Sequence, residues 1–109
     1  MVVYDVLSAF GEPCVLMRSF AVPPGPVSGI AVLQGQLVEA LGHGWDLARA
    51  TGRTLGVRDR IVELVLGRSV PVLTAQPPGL NLFAPPHPVD GDAPVLERLA
   101  ASLGRRPGP

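Results

Sequence analysis

The chain has 109 residues, 47% of them apolar and 17% charged, and its nine basic residues, all arginine, balance nine acidic ones. One domain at most is expected at this length, and the apolar share makes it globular rather than disordered. Zero net charge excludes the basic field that nucleic acid or an anionic membrane surface requires. Two long uncharged stretches, 19–38 and 69–89, are interrupted by several prolines and glutamines and do not supply the ~20 apolar residues of a spanning helix. No basic region precedes the first apolar residues, and Asp5 intrudes early, so no secretory signal is expected. A cytoplasmic protein with neither membrane nor nucleic-acid partner is the reading. Cys14 is the single cysteine, which rules out an internal disulfide.

In chain order, residues 4–10 read as a short helix with Val3, Leu7 and Phe10 toward one side, stopped by Gly11-Glu12-Pro13. Residues 14–22 read as extended, with Cys14 a small buried hydrophobe, and "PPGP" at 23–26 as a rigid loop. Ser28 is the expected N-cap of the longest helix, 28–51, which Arg49 and Gly52 finish. A second helix is expected over 59–73, with Asp59 at its start and Pro71 either kinking it or ending it early. A Pro-rich loop, "QPPGLNLFAPPHPVDGD", then leads to a short helix beginning at Ala93-Pro94. Asp92 is its expected cap, and Val95, Leu96, Leu99 and Leu103 form its apolar stripe. Residues 104–109, "GRRPGP", read as a flexible tail in which Arg105 and Arg106 are solvated. The fold class is therefore all-α: a helical hairpin, a short C-terminal helix and Pro-rich loops.

The longest helix is apolar almost all round, which is the pattern of a helix surrounded by others. Its exceptions fall in one line. Gln36, Glu39, His43 and Asp46 follow 3-4-3 spacing and share a face. Glu39 and His43, one turn apart, can aim a carboxylate oxygen and a ring nitrogen at one point, as helix-borne metal ligands do. Burial among apolar residues would make such a pair costly, and a divalent cation would offset that cost. Gln36 and Asp46 are then candidates to orient the two ligands, and His87, in "APPHPVD", is a candidate extra ligand. The plain alternatives are a solvated Glu–His pair, a loop histidine, a core Trp45 and an Asp46–Arg49 ion pair. Nothing in the chain has the form of a phosphate-binding glycine loop, a nucleophile elbow or a Cys-rich zinc site.

The segment "VEALGHGWDLARATGR" resembles the signature of actinobacterial proteins of the DinB-like and mycothiol-dependent maleylpyruvate isomerase group. There a helix carries Glu-x-x-x-His followed by Gly/Thr-Trp-Asp-Leu-Ala-Arg-Ala, with Glu and His both binding metal. "YDVLSAF" is similar to the end of that family's third bundle helix, and "FAPPHPVDGDAPVLERLAASLGRRP" to its C-terminal segment. The resemblance implies part of an up-down four-helix bundle, with Glu39 and His43 as metal ligands. It implies zinc, with nickel, manganese or iron as alternatives, and mycothiol as a co-substrate for isomerisation or transfer. Members of the family begin with two further helices, the second bearing a histidine ligand, and this chain is read as the C-terminal half alone. A homodimer or a partner chain is expected to supply the missing helices. The competing expectation is a non-catalytic interaction module, or a remnant in which Glu39 and His43 hold no metal.

Overall fold

The computed structural model describes residues 3–22, 25–75 and 83–107, the side chains of Val3, Tyr4, Val6 and Val22 excepted. The described residues are mostly helical, 60% helix and 8% strand. Among them no helix is long and apolar enough to cross a membrane. The chain divides into two compact units, Met1–Gln36 and Leu37–Pro109. Residues 76–82 of the Pro-rich loop, Pro23 and Pro24 of "PPGP", and the last two residues of the tail lie outside the described residues.

In the first unit, helix α1 (Val3–Gly11) covers the expected segment. The extended reading of 14–22 holds only from Ser19. Before it, Cys14 adopts a left-handed conformation, φ 60°, and opens a single 3₁₀ turn, Val15–Met17. Cys14 is exposed, not the buried hydrophobe expected, because this turn sends Val15 inward in its place. The all-α expectation also misses an antiparallel ribbon. Strand β1 (Ser19–Val22) pairs with β2 (Gly25–Ser28), with Phe20 opposite Val27 and Ala21 opposite Pro26. The aromatic and β-branched residues favour a pleated strand, and Pro26 is tolerated because a two-stranded ribbon has only edges.

Helix α2 (Gly29–Thr51) begins where Ser28 accepts the Ala31 N–H at 3.3 Å, so the expected N-cap forms. Gly29 donates its N–H to the Arg18 carbonyl at 2.8 Å. A Cβ at Gly29 would collide with the Val15 carbonyl, so the approach of the 3₁₀ turn to the helix start requires glycine here.

In the second unit, α2 ends with Gly52 at φ 68° and the Arg53 N–H on the Ala48 carbonyl at 2.8 Å. This is the left-handed glycine stop anticipated from sequence. Helix α3 (Asp59–Arg68) and helix α4 (Val70–Thr74) replace the single expected helix over 59–73. The break falls at Ser69, because Pro71 has no N–H for an interior hydrogen bond and is placed in the first turn of α4 instead. Helix α5 (Val95–Ser102) starts from Pro94, whose carbonyl accepts the N–H groups of Glu97 and Arg98. Asp92 does not cap it. The turn before α5, with the Ala93 N–H on the Asp90 carbonyl, leaves Asp92 exposed.

The core of this unit is Val38 and Leu41 of α2, Val62 and Val65 of α3, Val70 of α4, and Val95, Leu99 and Leu103 at and beyond α5. Leu99 is fully buried, which stabilises the fold by about 1.5–3 kcal/mol relative to an exposed side chain. Arg98 ties α5 to α3 by donating to the Glu63 carboxylate at 2.7 Å.

Candidate functional site

The buried stripe of α2 in the second unit is Val38, Leu41, Gly42 and Trp45. At ~100° per residue, Glu39, His43 and Asp46 lie roughly a third of a turn away from it. Arg105 reaches Asp46, while the Glu39–His43 pair stays open to solvent. His43 is 69% exposed and Glu39 45% exposed at the side chain, so the expected burial of this pair is corrected. The helix is apolar nearly all round in composition, yet the unit packs against one side of it and leaves Leu37, Ala40 and Leu47 exposed as well.

The two candidate ligands meet. His43 Nε2 and Glu39 Oε2 are 2.7 Å apart, a hydrogen bond across one helical turn. Two ligand atoms on a tetrahedral ion with ~2.05 Å bonds stand about 3.3 Å apart, so modest side-chain rotation would open the pair around a cation. Carboxylate oxygen and imidazole nitrogen are also the right donor chemistry for zinc and its neighbours. The fit stops at two ligands. Among the described residues, no group of three or more His, Cys, Asp and Glu side chains is placed to hold a metal ion.

The other candidates separate. Gln36 is exposed and belongs to the first unit. His87 is half-buried beside α5, with its N–H on the Ala101 carbonyl at 3.0 Å. Asp46 Oδ2 lies 3.8 Å from His43 Nδ1, beyond hydrogen-bonding distance. Its carboxylate is instead gripped at both oxygens by Arg105, Nε to Oδ1 at 3.1 Å and Nη2 to Oδ2 at 2.9 Å. The hydrogen bonds from Arg105 hold the Asp46 carboxyl below its usual pKa, against a smaller opposing effect of burial, and the Asp46 bonds raise that of the guanidinium in turn. Trp45 is core, as expected, with the Arg49 guanidinium 5.1 Å from its ring centroid.

Arg105 is the residue that sequence reasoning missed. It follows Gly104, which at φ 83° ends α5 as Gly52 ends α2, with the Arg105 N–H on the Ala100 carbonyl. The signal was present as two Gly-Arg pairs, 52–53 and 104–105, each just past a helix. The glycines beside His43 have a packing role. A Cβ at Gly42 would stand 3.3 Å from Leu103 and 3.5 Å from the Arg105 guanidinium, and one at Gly44 would stand 3.1 Å from Leu55. "GHG" thus lets neighbouring segments approach α2 on both sides of the histidine.

No family model matches the chain, and no solved structure matches it significantly. Two uncharacterized proteins of Mycobacterium tuberculosis, one from strain CDC 1551 / Oshkosh and one from strain ATCC 25618 / H37Rv, are each 31% identical to it over 98 residues. That alignment takes in 88% of this chain and 53% of either relative. The chain spans about half the length of the curated relatives it matches.

Proposed function

We propose that this chain carries two ligands, Glu39 and His43, of a divalent-cation site in a DinB-like protein related to the mycothiol-dependent maleylpyruvate isomerase group. The observation that supports it best is the 2.7 Å approach of Glu39 Oε2 and His43 Nε2 on an open helix face. The reading requires at least one further ligand from another segment, either from the part of the relatives' length that this chain does not span or from a second copy. A bound divalent cation of this kind lowers the pKa of a low-molecular-weight thiol and so supplies the thiolate nucleophile for isomerisation or transfer. Glu39 would supply negative charge to the site and His43 a neutral nitrogen ligand.

The test is metal content. The chain and its Glu39→Ala/His43→Ala variant are purified without chelator, and bound metals are quantified together with solution mass. Bound zinc or a related metal in the parent and none in the variant is the expected result, and the mass reports whether a second copy completes the site. Equal, trace metal in both excludes a site completed by this chain or a second copy of it, and the same result with one of the full-length relatives and its matching double variant sinks the reading.

A second reading is favoured by a separate observation. Leu37 and Leu47 on α2 and Ile61 and Leu64 on α3 are large apolar side chains left exposed. A non-catalytic helical module that associates through such residues would be dimeric without metal, and Leu47→Arg would return it to a monomer.

A further inference from the structure

We propose that the first unit binds a small apolar carboxylic acid, its carbon frame in the hollow between Phe10, Val15, Phe20 and Val32 and its carboxylate on Arg18.

The apolar side chains of this unit surround a space instead of filling it. A cavity of about 410 Å³ lies within the unit, walled by Phe10 of α1, Val15 of the 3₁₀ turn, Phe20 of β1 and Val32 of α2. Val15 is buried and the other three are half-buried. The volume falls within the ~300–1,000 Å³ of small-molecule sites, whose usual lining is apolar with a few polar groups. The carbon frame of a ligand would supply the apolar contacts that the described part of this unit does not make for itself.

Two charged residues, Glu12 and Arg18, also line the cavity, and both are exposed. They are not equivalent. Arg18 is held against the wall, its guanidinium 5.5 Å from the centroid of the Phe20 ring. Attraction to a ring engages the charge of a guanidinium but satisfies none of its N–H donors. Among the described residues no group accepts from them. A carboxylate matches that planar fork with two parallel hydrogen bonds. Glu12 is fixed only through its backbone, whose carbonyl accepts the Val15 N–H at 3.2 Å. Among the described residues nothing holds its carboxylate, which can turn to water. The anchored charge at this cavity is therefore positive, and it selects an acid over an alcohol or an amine of the same frame.

The probe is phenylbutyrate, with phenylbutanol and phenylbutylamine as its neutral and cationic counterparts. Each is titrated into the full chain and followed by the amide resonances of Val15 and Phe20, with solution mass measured alongside. The acid is expected to bind about tenfold more tightly than the alcohol, and the amine more weakly than either. Arg18→Gln should bring the acid down to the affinity of the alcohol and leave the alcohol unchanged, which a loss of folding would not do. Val32→Phe should fill the cavity and abolish the binding of both. If that variant loses helicity by circular dichroism, Ala9→Leu takes its place. No binding of the acid, equal affinity for acid and alcohol, or tighter binding of the amine overturns the proposal. Acid binding that survives the filling of the cavity does the same. So does a dimer whose Val15 and Phe20 resonances shift on dilution, because a second copy then occupies the hollow.

Discussion

The two compact units of this chain reach order by different means. The described part of the first unit closes largely through backbone hydrogen bonds: the β1–β2 ribbon, the 3₁₀ turn, and the Gly29 N–H on the Arg18 carbonyl. Val15 is its one large buried apolar side chain among the described residues. The second unit draws eight buried aliphatic side chains from α2, α3, α4 and the α5 region into one cluster. A two-stranded ribbon with a short helix has little apolar area to remove from water, whereas a helical cluster removes a great deal. Resistance to unfolding should therefore reside in the second unit, while the first opens at lower cost.

Core truncation tests this difference most strongly. Leu99→Ala should lower the unfolding free energy by about 3 kcal/mol, since a fully buried leucine leaves a cavity. Urea denaturation followed by the fluorescence of Trp45, the single tryptophan, reads the second unit directly. Met17→Ala, at an 84% exposed position of the first unit, should leave that midpoint unchanged. Equal losses from the two substitutions would abolish the distinction.

Glycine substitutions sharpen it. Gly52 and Gly104 share a left-handed conformation, but a Cβ at Gly52 meets open space while one at Gly104 stands 2.6 Å from both the Cβ and the carbonyl oxygen of Ala84. Gly52→Ala should cost about 1 kcal/mol through backbone strain alone, and Gly104→Ala about 2 kcal/mol or more. Gly29→Ala should act on the first unit, where the Val15 carbonyl blocks a Cβ. Its expected signature is faster amide exchange in the ribbon with the Trp45 transition nearly unmoved.

The smallest effect concerns acid. Because Arg105 lowers the pKa of Asp46, the pair's contribution is complete above the ordinary aspartate value of about 3.9 and is lost as pH falls through the lower value of the folded state. Asp46 is 42% exposed at the side chain, so solvent screening keeps this to about half a kcal/mol. The difference in denaturation midpoint between the parent and Arg105→Gln should shrink between pH 6 and pH 3. A difference that persists unchanged would mean that Arg105 stabilises through packing over Gly42 rather than through its ion pair.

Much of the helical framework was legible in the chain itself. Ser28 capped the helix it was expected to cap, Gly52 stopped it, and Pro71 ended α3 early. These are local events, decided by the dihedral preferences and hydrogen-bonding capacity of one or two residues. The stripe of Val95, Leu99 and Leu103 was equally readable, because helical periodicity carries it. The β1–β2 ribbon was not: 14–22 read as extended but "PPGP" at 23–26 as a loop, and only the pairing with Ala21 and Val22 makes Pro26 and Gly25 part of a strand. Asp92 failed as a cap because the turn around Asp90 decided the direction in which the chain enters α5.

For the candidate site the division is similar. The sequence by itself determined that Glu39, His43 and Asp46 share one face of a helix, and that Glu39 and His43 are close enough to meet, because a 3.6-residue period allows nothing else. Only the tertiary structure decided which side of that helix is covered, and it left the Glu–His pair open where composition argued for burial. It also decided that Asp46 belongs to an arginine 59 residues away rather than to the histidine one turn before it. The reason is physical: helical spacing brings Asp46 near His43, but α5, ended by Gly104, delivers a guanidinium whose planar fork binds both carboxylate oxygens at once, and that bidentate grip prevails.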